Sequence, residues 1–184
     1  SSNMNLSEEQ RNKMIANLKN GKKSPSSLII NGDMESLQVL IDEGLDLNET
    51  NIFSGFPILT AIMYSDIDIV KLFIKNGADV NVVFQDKPLL DFAVIFGNNE
   101  MVKLLIESGA DVNVFVEDYP LIFQPLIFGN NEIIKYLIEI GADIEFKNNS
   151  SLLVQALLFS NTEIVELCIG KGSKFSQNIL LDVV

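Results

Sequence analysis

Histidine is absent from this 184-residue sequence, and cysteine occurs once, at Cys168. Without histidine, the chain has no histidine-based catalytic triad, no histidine metal ligand and no histidine pH switch. A single cysteine allows no internal disulfide and is compatible with a reducing compartment. We therefore expect neither these kinds of chemistry nor a disulfide-stabilised fold.

Long apolar runs and basic residues are also scarce. No run of 18 apolar residues occurs, so no membrane-spanning helix is expected. The sequence contains 13 basic and 25 acidic residues, which gives a formal net charge of −12. Such a surface repels nucleic acid and anionic membranes. It suits a basic partner, although solubility alone explains many acidic chains.

The first residues differ from the rest of the chain. Residues 1–3 precede Met4 and are interpreted as an expression scar. Ser7 and Gln10 have the spacing of a capping box, which predicts a helix over residues 8–20 that Gly21 closes. We expect residues 1–24 to comprise the scar, a helix that caps the first repeat, and a linker. Residues 25–184 are predicted to form one repeat domain.

Two small-residue markers recur through that domain. Five glycines open segments similar to Gly-Ala-Asp-Val-Asn and lie 33, 32, 32 and 31 residues apart: Gly44, Gly77, Gly109, Gly141 and Gly172. A small residue lies twelve residues before each of them: Gly32, Ser65, Gly97, Gly129 and Ser160. Two markers in constant phase predict about five structural repeats.

Each repeat is predicted to contain two helices. A short apolar helix precedes the first marker, as in residues 89–96 and 152–159, and an amphipathic helix such as 101–106 follows it. Asparagines at its start are predicted caps: Asn98, Asn130 and Asn161. In three copies a lysine lies three residues after an acidic residue and can pair with it: Lys71, Lys103 and Lys135. Pro125 is predicted to kink or delay the fourth short helix.

Loops rich in β-branched and aromatic residues join the repeats. Residues 82–84, 114–116 and 145–146 predict hairpin-like fingers. Because no repeat can bury its own apolar face, the repeats must stack. The sequence therefore predicts an all-α repeat solenoid, a stack of helix pairs with short hairpin-like loops and an N-terminal capping helix.

This order of short helix, small residue and a segment similar to V-K-L-L-I-x-x-G-A-D-V-N resembles the ankyrin repeat. The resemblance covers about residues 24–176, with degenerate terminal repeats. The T-P-L-H opening of that family is nearly absent, and its histidine position holds other residues: Leu59, Asp91, Phe123 and Val154. The resemblance implies a module that binds a protein partner through its concave face and fingers.

The strongest candidate for a binding surface lies just before the small-residue markers. The two positions before each marker are polar in the family but apolar here. The second of the two positions is aromatic in four repeats: Tyr64, Phe96, Phe128 and Phe159. Aliphatic residues precede the rings: Met63, Ile95, Ile127 and Leu158. Stacking places the rings side by side, so that they present roughly 400 Å² if exposed. The alternative is that these rings pack in the core.

The fingers are the second candidate for partner binding. They combine aromatic rings with acidic neighbours: Phe53, Phe56, Phe84, Phe115, Tyr119 and Phe146, with Asp86, Glu117 and Asp118. Aromatic anchors supply binding energy, and charges supply selectivity. The alternative is that the rings pair between adjacent hairpins. Cys168, on the apolar face of its helix, is interpreted as a core thiol.

Nothing in the sequence nominates a catalytic residue, a metal ligand or a cofactor site. We expect a non-enzymatic, cytoplasmic protein-interaction module, monomeric when free, that binds neither nucleic acid nor membrane. The specific hypothesis is an immunity-type inhibitor that neutralises a basic toxin. The alternative is a pathogen or viral effector that engages a host protein through the same surface. The apolar residues 178–184 are predicted to fold back over the fifth repeat; the alternatives are truncation of a longer array and self-association.

Overall fold

A computed structural model describes residues 7–20, 24–50, 55–96, 98–146 and 151–174. By its internal contacts, the chain divides into two compact units, Ser1–Gln85 and Asp86–Val184. Five sequence predictions fall outside the described residues: those for the scar 1–3, Gly21, Phe53, Gly97 and the tail 178–184.

The first unit contains five helices and one short strand among its described residues. They are α1 (Glu8–Lys19), α2 (Pro25–Ile30), α3 (Met34–Asp42), α4 (Pro57–Met63), α5 (Ile67–Lys75) and β1 (Val83–Phe84). The described part of the second unit contains six helices and three strands. They are β2 (Lys87–Pro88), α6 (Leu89–Ile95), α7 (Asn99–Glu107), β3 (Phe115–Val116), β4 (Tyr119–Pro120), α8 (Phe123–Ile127), α9 (Asn131–Glu139), α10 (Leu152–Leu158) and α11 (Thr162–Gly170).

Helix pairs repeat within each unit. After α1, a helix of five to seven residues alternates with a helix of nine residues. In the second unit the short helices α6, α8 and α10 pack side by side, and so do the long helices α7, α9 and α11. The predicted class, an all-α repeat solenoid of helix pairs, is confirmed.

The N-terminal helix α1 packs against α3 of the first helix pair. Its predicted capping box forms, since the Ser7 amide donates to the Gln10 side chain and the Gln10 amide donates to Ser7 Oγ. Arg11 Nη2 lies 2.9 Å from Glu43 Oε1, just beyond the end of α3. These contacts support the expectation that α1 caps the first repeat.

Polar side chains begin the long helices, and left-handed residues end both kinds of helix. The caps accept a backbone N–H three residues on: Asp33, Asp66, Asn98, Asn130 and Asn161. The five glycines that close the long helices have φ between 92° and 103°. The first marker ends the short helices and is also left-handed where described, with φ of 54° to 67°: Gly32, Ser65, Gly129 and Ser160. Both markers therefore recur because the backbone requires this conformation.

Pro125 shortens the fourth short helix. Helix α8 begins at Phe123, two residues after Leu121, which corresponds to Leu89 at the start of α6. Pro125 is the third residue of α8, where a missing N–H breaks no intrahelical bond. The predicted delay of this helix is confirmed.

The long helices bury one apolar face. In α5, α7 and α9, fully buried side chains occupy positions i, i+1 and i+4: Ile69, Val70 and Phe73, Met101, Val102 and Leu105, and Ile133, Ile134 and Leu137. This spacing gives each helix one apolar stripe towards its neighbours. Across the described ranges, no helix combines the length and apolar character needed to cross a membrane.

Candidate functional site

Aromatic side chains occupy the C-cap positions of the short helices in the second unit. Phe96, Phe128 and Phe159 follow the last residues of α6, α8 and α10. Each ring follows an aliphatic residue, and the helix ends next to it. Because the three helices pack side by side, their ends form a row of aliphatic–aromatic pairs. We call these six residues the apolar ladder: Ile95, Phe96, Ile127, Phe128, Leu158 and Phe159.

Every member of the apolar ladder is exposed. The rings of Phe96, Phe128 and Phe159 are 46%, 56% and 49% exposed. The aliphatic members are 36% to 56% exposed. Tyr64 and Met63, at equivalent positions of the first unit, are exposed to similar degrees. The alternative in which these rings pack in the core is therefore wrong, whereas partner binding stays a prediction.

We call each aliphatic–aromatic pair of the ladder a rung. A groove of about 510 Å³ lies between the last two rungs, Ile127–Phe128 and Leu158–Phe159. The rings of Phe128 and Phe159 contribute to its apolar lining, and Asn131, Asn161 and Thr162 contribute polar groups. Asn161 Nδ2 donates to Asn131 Oδ1 at 2.7 Å, which holds two of these side chains in place. The groove thus combines apolar rings with ordered amides.

Ion pairs and amides connect the starts of successive long helices. Lys103 Nζ lies 3.1 Å from Glu132 Oε1, and Lys135 pairs with Glu163. Hydrogen bonds from the lysines and from Asn99 and Asn131 lower the pKa of Glu132 and of Glu163. The sequence prediction for these two lysines was wrong, because each pairs with the next repeat rather than with the acidic residue of its own helix.

The finger of the second unit is a short antiparallel hairpin. Phe115 lies opposite Pro120, and Val116 opposite Tyr119. Phe115 and Tyr119 are each 60% exposed, and Val116 is buried. The turn residues Glu117 and Asp118 have φ of 50° and 70°, as a two-residue hairpin turn requires. The hairpin therefore presents two rings beside two exposed carboxylates.

The remaining finger residues divide between exposed and partly buried positions. Phe56, Phe84 and Phe146 are half-buried, whereas Asp86 is exposed. Phe123 of α8 lies 5.2 Å from the Phe146 ring, edge to face, and 6.2 Å from the Tyr119 ring. Tyr119 and Phe146 thus contact the same ring of α8, which the sequence did not nominate for the fingers, and direct pairing between finger rings stays a prediction.

Asp91 is a buried carboxylate that sequence reasoning did not single out as a site. It lies on α6 with none of its surface exposed, and neither carboxylate oxygen has a hydrogen-bond partner among the described residues. Burial raises the pKa of Asp91, Lys87 lowers it, and Glu117 raises it further. The sequence did contain one indication of this site, since Asp91 occupies the histidine position of the ankyrin repeat inside an otherwise apolar helix.

By side-chain type, the Cys168 thiol could serve as a nucleophile and the acidic side chains as metal ligands. Burial, with a smaller effect from Glu145, raises the pKa of the Cys168 thiol to about 11, so this thiol is poorly suited to nucleophilic attack. In the part of the chain that the structure describes, no group of three His, Cys, Asp or Glu side chains could hold a metal ion.

The family model for ankyrin repeats, three copies, matches residues 27–116. Residues 27–116 belong to the ankyrin-repeat family. The match ends in β3, and the helix pairs α8–α9 and α10–α11 continue the repeat pattern beyond it. A comparison with curated proteins gives no match. Ankyrin repeats generally mediate protein–protein interaction, and the family is typically non-catalytic.

Proposed function

We propose that this ankyrin-repeat chain binds a basic protein through the apolar ladder, with the finger carboxylates as a charged border. The exposure of all six ladder residues is the observation that carries the proposal. A half-exposed ring presents roughly 100 Å², so the three rings and their aliphatic neighbours present on the order of 500 Å². The largest apolar patch on a monomeric protein is about 300–600 Å² and is often functional, so a patch of this size supports the proposal.

Charge supports the choice of a basic partner. Residues 86–184 contain 14 acidic and six basic residues. Two of the lysines, Lys103 and Lys135, already pair with glutamates. The finger residues Asp86, Glu117 and Asp118 are exposed. The negative charge of the chain would attract a partner that carries Lys and Arg around an apolar centre. The finger carboxylates would then pair with those basic residues and so select the partner.

The finer proposal is that binding inhibits the partner, as an immunity-type protein neutralises a basic toxin. It rests on the strongly acidic composition of the chain and on the apolar ladder, which can cover a working surface of another protein. The ladder itself offers apolar contact rather than convergent catalytic groups. Loss of the partner's own activity in the complex is the test that separates an inhibitor from a scaffold.

A pull-down from source cells tests the coarser proposal. The baits are the wild type, Phe128→Asp and Ile140→Asp. Phe128 and Ile140 are both helix C-caps with large exposed side chains, but Ile140 lies outside the ladder. We expect a basic protein to be captured by the wild type and by Ile140→Asp, and to be lost with Phe128→Asp.

Salt and thermal unfolding complete the test. The melting temperature of Phe128→Asp should match that of Ile140→Asp, since both introduce an exposed charge at a helix end. Capture should weaken in high salt, because screening removes the attraction between the finger carboxylates and the partner. Equal capture by all three baits would refute a role for the ladder. Capture that high salt leaves unchanged would refute charge as the selector.

A further inference from the structure

The spacing of the apolar ladder carries information about the partner's secondary structure. Helices α6, α8 and α10 pack side by side, and packed helices lie about 8–10 Å apart. The three rungs therefore recur at about that interval. A partner segment that meets all three rungs must present apolar side chains on one face at the same spacing.

An α-helix meets this requirement, and a β-strand does not. A helix returns to nearly the same face every seven residues, or about 10.5 Å. A strand returns to the same face every two residues, or about 6.7 Å, so its side chains fall out of step with the rungs. A polyproline helix advances about 9.3 Å per turn, which also matches the interval, so the width of each rung has to separate it from an α-helix. Each rung here is two side chains wide, which fits the broad apolar stripe of an amphipathic helix.

The two sides of the ladder differ in charge. The short helices begin next to the fingers, where Glu117 and Asp118 are exposed, and end at the ladder. On the other side, Glu132 and Glu163 are paired with lysines, and the groove beside them is lined by Asn131, Asn161 and Thr162. Two of the three glutamates at the starts of α7, α9 and α11 are thus paired with lysines, and the third, Glu100, is exposed. The hairpin turn carries two adjacent exposed carboxylates, so the denser negative charge lies on the finger side.

We infer that the partner docks as an amphipathic α-helix of at least about 15 residues, which runs across α6, α8 and α10 and carries Lys or Arg on the flank that faces the fingers. Its apolar residues at i, i+7 and i+14 meet the three rungs. The residues between them fill the groove of about 510 Å³ between Phe128 and Phe159. This inference rests on the proposed function and specifies the kind of segment that the ladder binds.

Synthetic peptides test the inference with the complete chain. The first peptide is an 18-residue amphipathic helix with leucines at the heptad spacing and lysines and arginines on one flank. The second replaces the basic residues by glutamate. The third has the composition of the first but alternates apolar and basic residues. The fourth is a proline-rich peptide with the same charge. Fluorescence anisotropy gives the dissociation constant of each.

We expect the first peptide to bind at least about tenfold more tightly than the other three. Phe128→Asp should weaken its binding by about tenfold or more, and Ile140→Asp should leave it within about twofold. The double variant Glu117→Gln and Asp118→Asn should weaken its binding and reduce its salt dependence.

Three results would overturn the inference: equal or tighter binding of the alternating peptide, equal or tighter binding of the proline-rich peptide, or an affinity for the first peptide that Phe128→Asp leaves unchanged. The pull-down separates this failure from that of the proposed function. Phe128-dependent capture of a basic protein without a preference for the helical peptide leaves the proposed function standing and refutes the helical partner alone.

Discussion

Replacing Asp91 should stabilise the chain at neutral pH. Asp91 is fully buried next to Leu90 on α6, and both of its carboxylate oxygens lack a hydrogen-bond partner among the described residues. A buried polar group without a partner costs about 1–3 kcal/mol, and more when it is charged. Asp91→Leu removes that cost and keeps the number and branching of the side-chain heavy atoms. We therefore expect a gain of about 1–3 kcal/mol in the free energy of unfolding at pH 7.

The dependence of this gain on pH has a definite sign. Burial raises the pKa of Asp91 in the folded chain above the ordinary value of 3.8. At a pH below that value, the carboxyl is protonated in both the folded and unfolded chains. Between the ordinary and the raised pKa, only the unfolded chain has released the proton, so the wild type loses stability as pH rises. The advantage of Asp91→Asn, which cannot ionise, should grow over that window and then level off.

Urea denaturation from pH 3 to pH 8 measures this effect. The control is Glu166→Gln, which neutralises an exposed carboxylate on α11 and should change stability by less than about 0.5 kcal/mol. A gain for Asp91→Asn that is constant across the pH range would refute the raised pKa. A loss of stability in Asp91→Leu at pH 7 would refute the reasoning that the buried carboxylate destabilises the chain.

Two further predictions concern the repeat itself. Ser65→Gly and Ser160→Gly should each stabilise the chain by about 0.5–1 kcal/mol in thermal unfolding, because both serines have a φ of 54°, which glycine adopts without strain. The control is Ser108→Gly, at a φ of −90°, which should destabilise the chain in the same assay. Asn131→Ala should lower the free energy of unfolding by about 1–2 kcal/mol, since it removes hydrogen bonds to Asn161 and Glu163 of the next repeat. An unchanged midpoint of urea denaturation would contradict a structural role for these bonds.

The helix pairs were predictable from the sequence because each one ends at a backbone position with a strict requirement. Glycine or serine recurs where the chain turns left-handed, and asparagine recurs where a helix begins. The exposure of the ladder was one of two open alternatives, since an aromatic residue at a repeated position is compatible with either core or surface. The family resemblance favoured the surface, and the structure agrees.

The pairing of Lys103 and the burial of Asp91 were harder to predict. Lys103 has an acidic residue three positions before it and another 29 positions after it, and only the stacking of α7 on α9 selects Glu132. Asp91 lies in a helix that is apolar on almost every side, so no amphipathic pattern indicates which positions are buried. Both outcomes depend on contacts between repeats, which sequence spacing within one repeat does not specify.

The affinity of the captured partner for the wild type, Phe128→Asp and Ile140→Asp, measured by isothermal titration calorimetry, tests the central claim most directly. If the exposed ladder is the binding surface, Phe128→Asp weakens binding by about 30-fold or more, and Ile140→Asp stays within about twofold of the wild type. Equal affinities for all three proteins would show that the partner binds elsewhere and would contradict the account.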